Sequence, residues 1–193
     1  MIAILKYSSG NIRSVSTALD RLGYKSIITN DPDEISSAEK IIIPGVGEAR
    51  SAMKYLKEKE LDILIRSLRQ PVLGICLGLQ LMTKHSDEGD TECIGIFDTV
   101  VKRFPPGNKV PHMGWNNFSS LSQRDLFRGI MIEDNVYYVH SYYADVTPDT
   151  VAVCDYILPF SAAMKKNNFY ATQFHPEKSG ETGALILKNF LEL

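Results

Sequence analysis

Apolar positions in the first half of the chain alternate between two kinds of run. Residues 2–5, 25–29, 41–43 and 71–75 form short strand-like blocks, most of them apolar throughout. Such blocks suit strands covered on both faces of a parallel sheet. Between them, apolar residues recur at helical spacing. Ile12, Val15, Ala18, Leu19 and Leu22 make one such stripe, with Asn11 placed to cap it and Gly23 to end it. Asp31-Pro32-Asp33-Glu34 reads as the next helix start: a cap, a first-turn proline and a glutamate at capping-box spacing. Helical patterns also cover residues 48–57, 60–68 and 77–84. The alternation predicts an α/β fold, with a mostly parallel central sheet flanked by helices.

The second half reads differently. Residues 94–97, 99–104, 136–140, 151–156, 161–166 and 169–174 are strand candidates. Asn167-Asn168 suits a tight hairpin turn, and a last helix is expected over 182–191. Additional antiparallel strands are therefore expected in the C-terminal half. No repeat, low-complexity tract or long linker interrupts the pattern, so a single domain over residues 1–193 is expected.

Composition narrows the picture. Charged residues make up 23% of the chain and the formal net charge is -2. Without a long basic stretch, nucleic-acid binding is not suggested. The opening apolar run is only a strand long and Lys6 follows it, which fits neither a secretory leader nor a membrane span. Cys76, Cys93 and Cys154 lack zinc-type spacing, so no metal is expected. Reduced thiols and a cytoplasmic location are the expectation.

The strongest chemical signal is Val72-Leu73-Gly74-Ile75-Cys76-Leu77-Gly78-Leu79-Gln80. A strand runs into Gly-x-Cys-x-Gly and a helix begins at once, the thiol counterpart of a nucleophile elbow. Such a turn lifts the Cys76 side chain out at the carboxyl end of the sheet. The helix start favours a thiolate, and the Leu77 N–H can donate to an oxyanion. A nucleophilic cysteine needs a base that works near neutral pH. Among His85, His112, His140 and His175, the candidate base is His175, which follows the last strand with a carboxylate, Glu177, two residues on and Pro176 stiffening the link. On an extended chain those two side chains share a side, and Glu177 can then orient the imidazole.

Pro44-Gly45-Val46-Gly47, Gly74 to Gln80 and His175-Pro176-Glu177 together resemble the three signature regions of class I (triad) glutamine amidotransferases, over essentially the whole chain. Pro111 to Asn116, Val139 to Tyr142 and Gly10 to Val15 are similar to the glutaminase subunits of imidazole glycerol phosphate synthases. The resemblance implies that Cys76 attacks the glutamine carboxamide to leave a glutamyl thioester, with His175 moving protons and Glu177 holding His175. It implies that Gly45, Val46, Gly47 and Leu77 stabilise the oxyanion, and that Gln80, Ser141 and Tyr142 hold substrate. No cofactor is implied. The implied partner is a cyclase with a (β/α)8 barrel, forming a heterodimer that receives ammonia shielded from water. Met113, Trp115, Asn116, Tyr138 and Lys178 would face it; apart from the resemblance, Trp115, Tyr137 and Tyr138 read as core, the commoner place for an aromatic. Lys6 and Ser8 depart from the family's Asp-Tyr-Gly-x-Gly-Asn opening at this rim.

Glycine tolerates positive φ, so the Gly45-Val46-Gly47 loop can rotate a peptide. An oxyanion donor turned away until the partner docks would suppress wasteful hydrolysis. Competing readings are an amidotransferase serving a different synthase, a cysteine hydrolase acting alone, and a noncatalytic module on the same scaffold.

Overall fold

The computed structural model describes residues 1–7 and 10–193. Ser8 and Ser9, within the divergent opening, lie outside the described residues. The first half holds strands β1 (Ile2–Leu5), β2 (Ser26–Thr29), β3 (Lys40–Ile43) and β4 (Val72–Ile75). These alternate with helices α1 (Ile12–Arg21), α2 (Pro32–Ser37), α3 (Ala49–Glu58), α4 (Leu61–Ser67) and α5 (Leu77–Leu81). The short strands β5 (His85–Ser86) and β6 (Thr91–Glu92) follow, then β7 (Val100–Arg103), β8 (His112–Asn116) and β9 (Ser120–Leu121). The chain ends with β10 (Val136–His140), β11 (Tyr142–Ala144), β12 (Thr150–Asp155), β13 (Pro159–Lys166), β14 (Phe169–Thr172) and α6 (Gly180–Leu191).

The main sheet has the order β2-β1-β3-β4-β14-β13-β12-β9. Pairings from β2 through to β14 are parallel, and those beyond β14 are antiparallel. The expected α/β fold, mostly parallel with antiparallel additions, is what forms. Two apolar clusters cover the two faces of the sheet. Ile41 and Ile43 belong to one and Ile42 to the other, as strand alternation requires. A two-stranded ribbon (β8 with β10) and a small sheet (β11-β7-β5-β6) stand beside the main sheet.

Local chemistry explains where the chain departs from the pattern. Residues 94–97 form no strand. Their N–H groups turn back onto the end of α5: Ile94 to the Leu81 carbonyl at 2.8 Å, Gly95 to Thr83 at 2.7 Å and Ile96 to Met82 at 2.8 Å. They satisfy carbonyls that a helix end leaves open. For the same reason α5 stops at Leu81 rather than reaching residue 84, since the Lys84 N–H pairs with the Thr99 carbonyl at 3.0 Å. Asp31 caps α2 as expected, accepting from Asp33 and Glu34. The reciprocal bond of a capping box does not form, because the Asp31 N–H goes to Thr29 Oγ1 at 3.0 Å.

Candidate active site

Cys76 sits between β4 and α5 with φ 53° and ψ −103°. A residue with a side chain in that region costs on the order of 1–3 kcal/mol, so the surroundings must enforce it. They do so from both sides. The Cys76 N–H is held by the Thr172 carbonyl of β14 at 2.7 Å, and its own carbonyl accepts the first α5 bond from Gln80 at 3.2 Å. Gly78 lies where a Cβ would strike the Ile43 carbonyl, and a Cβ on Gly74 would strike the Gly78 backbone. The two glycines let the elbow close against β3.

β14 delivers the base. The His175 N–H donates to the Tyr137 carbonyl at 2.9 Å, and Ser179 Oγ donates to the His175 carbonyl at 2.6 Å. Residues Pro176–Lys178 form a 3₁₀ turn. Glu177 therefore reaches His175 by a fold-back rather than by strand alternation. His175 Nδ1 lies 2.7 Å from Glu177 Oε1, and both side chains are fully buried. Burial alone would push the His175 pKa down. The charges of Cys76 and Glu177 outweigh it and raise the pKa from 6.5 to about 10. His175 is thus held as an imidazolium beside the Cys76 sulfur.

Cys76, Val46, Gly47, Gln80, Glu88 and Tyr142, together with Leu77, line one pocket of about 240 Å³. The Leu77 N–H faces the Gly45 carbonyl at 3.4 Å. Ser141 is half-buried and does not line the pocket; its carbonyl accepts from the Phe104 N–H at 3.0 Å. Both Gln80 Nε2 protons are used internally, on the Tyr142 carbonyl at 3.2 Å and on Gln173 Oε1 at 3.1 Å.

Two contributors were not read from the sequence. Asn11 does not cap α1. It stands in the left-handed region without a side-chain cap bond, and its Nδ2 donates to Glu177 Oε1 instead. Glu88 lines the pocket, accepts from the Ala49 N–H at 2.8 Å, and has its pKa raised by burial. A loop carboxylate carries no sequence signature of its own.

On the ribbon, Met113 and Trp115 are 60% and 57% exposed. Lys178 is exposed beside the triad, whereas the Asn116 side chain turns inward to His112 Nε2 at 3.4 Å and to the Asp155 carbonyl at 3.1 Å. Tyr138 corrects the expectation of an interface position. It is 0% exposed and stacks on His112 with ring centroids 4.7 Å apart, so its side chain cannot touch a docked partner. β10 buries Val136, Tyr138 and His140 in alternation, which leaves Tyr137 outward, paired with Trp115 across the ribbon and 6.0 Å from its ring. Period-two alternation, applied to this strand, would have picked Tyr137.

The glutamine amidotransferase class-I family model matches residues 3–193. The chain belongs to that family. The match takes in the elbow, the His-Glu turn and the pocket loop together. Among the relatives, the imidazole glycerol phosphate synthase subunit HisH of Bacteroides fragilis (strain YCH46) is 59% identical, covering 100% of this chain and 99% of its own. The subunit HisH of Pasteurella multocida is 47% identical, covering 99% and 97%. The glutaminase domain of Trypanosoma brucei CTPS superposes with a TM-score of 0.68 at 16% identity, covering 99% and 93%. That likeness carries the class I fold, and the two subunits carry the closer kinship.

Proposed function

We propose that this chain is the glutaminase subunit of an imidazole glycerol phosphate synthase, hydrolysing glutamine at Cys76 and passing the ammonia to a cyclase subunit. The observation that carries the chemistry is a strained elbow cysteine beside a buried His175–Glu177 pair whose histidine is held protonated. The Cys76 sulfur adds to the glutamine carboxamide carbon. The C–N bond breaks as His175 gives its proton to the leaving nitrogen, and ammonia departs from a glutamyl thioester. His175, now neutral, takes a proton from water, which attacks the thioester. The C–S bond breaks, glutamate leaves and the thiolate returns.

Glutamine is placed by what remains unsatisfied in the pocket. Gln80 has committed both amide protons inside the protein, so it offers substrate its Oε1. A carbonyl oxygen there and the Glu88 carboxylate suit the α-ammonium group. The Tyr142 side of the pocket completes the site. The oxyanion loop supports the gated reading. The Leu77 N–H is turned to the Gly45 carbonyl, and a missing oxyanion donor lowers the rate by roughly 10²–10³. Docking of the cyclase with its nucleotide would turn a loop peptide and complete the donor set.

The partner face is the ribbon edge, with Met113 and Trp115 exposed, Tyr137 beside Trp115, and Lys178 next to the triad. The complex is a heterodimer with a (β/α)8 cyclase, and the cytoplasm is its compartment. Among the described residues no helix is long and apolar enough to cross a membrane. Ammonia release from glutamine, measured with and without the cyclase and its ligand, tests the proposal. Strong release only in the complete mixture is expected. Equal release with and without the partner would remove the gating, and no release under either condition would contradict the glutaminase itself.

A further inference from the structure

The hydrogen-bond directions around the pocket are fixed by a single backbone atom. The Tyr142 carbonyl can only accept, and Gln80 Nε2 lies 3.2 Å from it. That settles which end of the Gln80 amide is nitrogen. The same nitrogen stands 3.1 Å from Gln173, so the Gln173 atom facing it is the oxygen. The other end of the Gln173 carboxamide, Nε2, is then left 3.6 Å from Cys76 Sγ. Gln173 is fully buried and Gln80 nearly so, and reversing either amide would set two acceptors or two donors face to face.

The second arm of this carbonyl points the same way. His140 Nδ1 lies 2.8 Å from the Tyr142 oxygen and must donate to it. In neutral His140, Nε2 is therefore an acceptor, and it takes the proton of His112 Nδ1 at 3.1 Å. His112 Nε2 in turn faces Asn116 Nδ2 at 3.4 Å. Every member from Asn116 to Gln173 has one consistent role.

We propose that Gln173 is a catalytic residue of the glutaminase: its carboxamide N–H donates to the Cys76 sulfur and stabilises the thiolate, in an orientation imposed through Gln80 by the Tyr142 carbonyl. The inference rests on Cys76 being the nucleophile. The sulfur's surroundings call for such a donor. The Val139 carbonyl, 3.9 Å from Sγ, can accept from a thiol but offers nothing to a thiolate. Helix α5 has five residues, so its dipole contributes little. His175 supplies the compensating charge, and Gln173 adds a fixed neutral donor on another side of the sulfur. It also stabilises the sulfur as a leaving group when the thioester breaks.

The test is the pH dependence of Cys76 alkylation by iodoacetamide in the full chain, read by peptide mass spectrometry, for wild type, Gln173→Met and Gln173→Glu. Cys93 and Cys154 stay silent, because burial pushes each thiol up to about 12. Methionine keeps the length and removes the donor. Glutamate keeps the acceptor for Gln80 and puts negative charge at the sulfur. Loss of a charge-assisted hydrogen bond should move the Cys76 titration up by about one unit. With glutamine and the complete synthase, kcat should fall about tenfold while KM stays within about twofold, and the glutamate variant should be the more affected. A titration superimposing on wild type, in variants whose circular dichroism is unchanged, would overturn the proposal. Should neither variant fold, 15N-glutamine labelling of the wild type decides. The Gln173 side-chain NH2 signal should shift as Cys76 titrates, and a signal indifferent to that titration would overturn it. Ammonia release that survives Cys76→Ala would instead overturn the nucleophile assignment, an outcome separate from the thiol titration.

Discussion

Three histidines are almost wholly buried within one region of the molecule, and they titrate in opposite directions. His175 is raised to about 10, while burial lowers His112 to about 4 and His140 to about 3. Depth does not separate them, since all three are under 6% exposed. Their partners do. His175 faces the Glu177 carboxylate and the Cys76 sulfur, and becomes a stored proton. His112 and His140 face each other, a backbone carbonyl and aromatic rings, with His112 stacked 4.0 Å from Tyr156. They remain neutral and serve as directional hydrogen-bond links. The same side chain becomes a catalyst or a scaffold according to the charge placed beside it.

Substitutions can break this contrast. His175→Asn should reduce glutamine hydrolysis in the complete synthase by on the order of 10⁴. His112→Asn should leave it within about tenfold, because no reacting proton passes through His112. The two kcat values measured side by side decide the point. The scaffold side should show itself in stability. Tyr138→Ala, which empties the space stacked against His112, should destabilise the chain by about 3–5 kcal/mol in urea unfolding. Trp115→Ala, on the outward face of the ribbon, should change stability by less than about 0.5 kcal/mol. It should nevertheless weaken cyclase binding by tenfold or more in titration calorimetry.

Glu177→Gln should lower kcat by about 10²–10³, since the imidazolium loses its buried counter-charge but keeps a hydrogen-bond acceptor. Acid and alkaline stability should separate the two kinds of histidine more finely. His175 has a folded pKa above its ordinary 6.5, so its contribution is complete below pH 6.5 and is lost as pH rises through about 10. His112 and His140 have folded pKa values below 6.5. Their effect is the reverse: stability present above pH 6.5 is lost as pH falls towards 4 and then 3. The fall in Tm between pH 7 and pH 4.5 should therefore be shallower in His140→Gln than in wild type. An unchanged slope would remove His140 from the account.

What the sequence made legible follows the same physics. The parallel half was readable because its strands are covered on both faces and hence apolar along their length, as in β1 and β3. The elbow was readable because the close approach at Gly74 and Gly78 excludes other residues. β8 was not recognised as a strand, since His-Met-Gly-Trp-Asn shows no apolar run and pairs with a single neighbour. Residues 94–97 misled in the opposite sense: their apolar side chains are buried, but their backbone serves a helix end. Asn11, Glu88 and Gln173 owe their roles to partners 166, 39 and 97 positions away. No local pattern encodes such contacts, and only the fold brings them together.

The most direct test is ammonia release from glutamine by wild-type and Cys76→Ala protein, each assayed with the cyclase and its nucleotide ligand. A loss of on the order of 10⁴ or more, with partner binding and circular dichroism unchanged, is the predicted result. Release that persists in the alanine variant would contradict the assignment of Cys76 as the nucleophile.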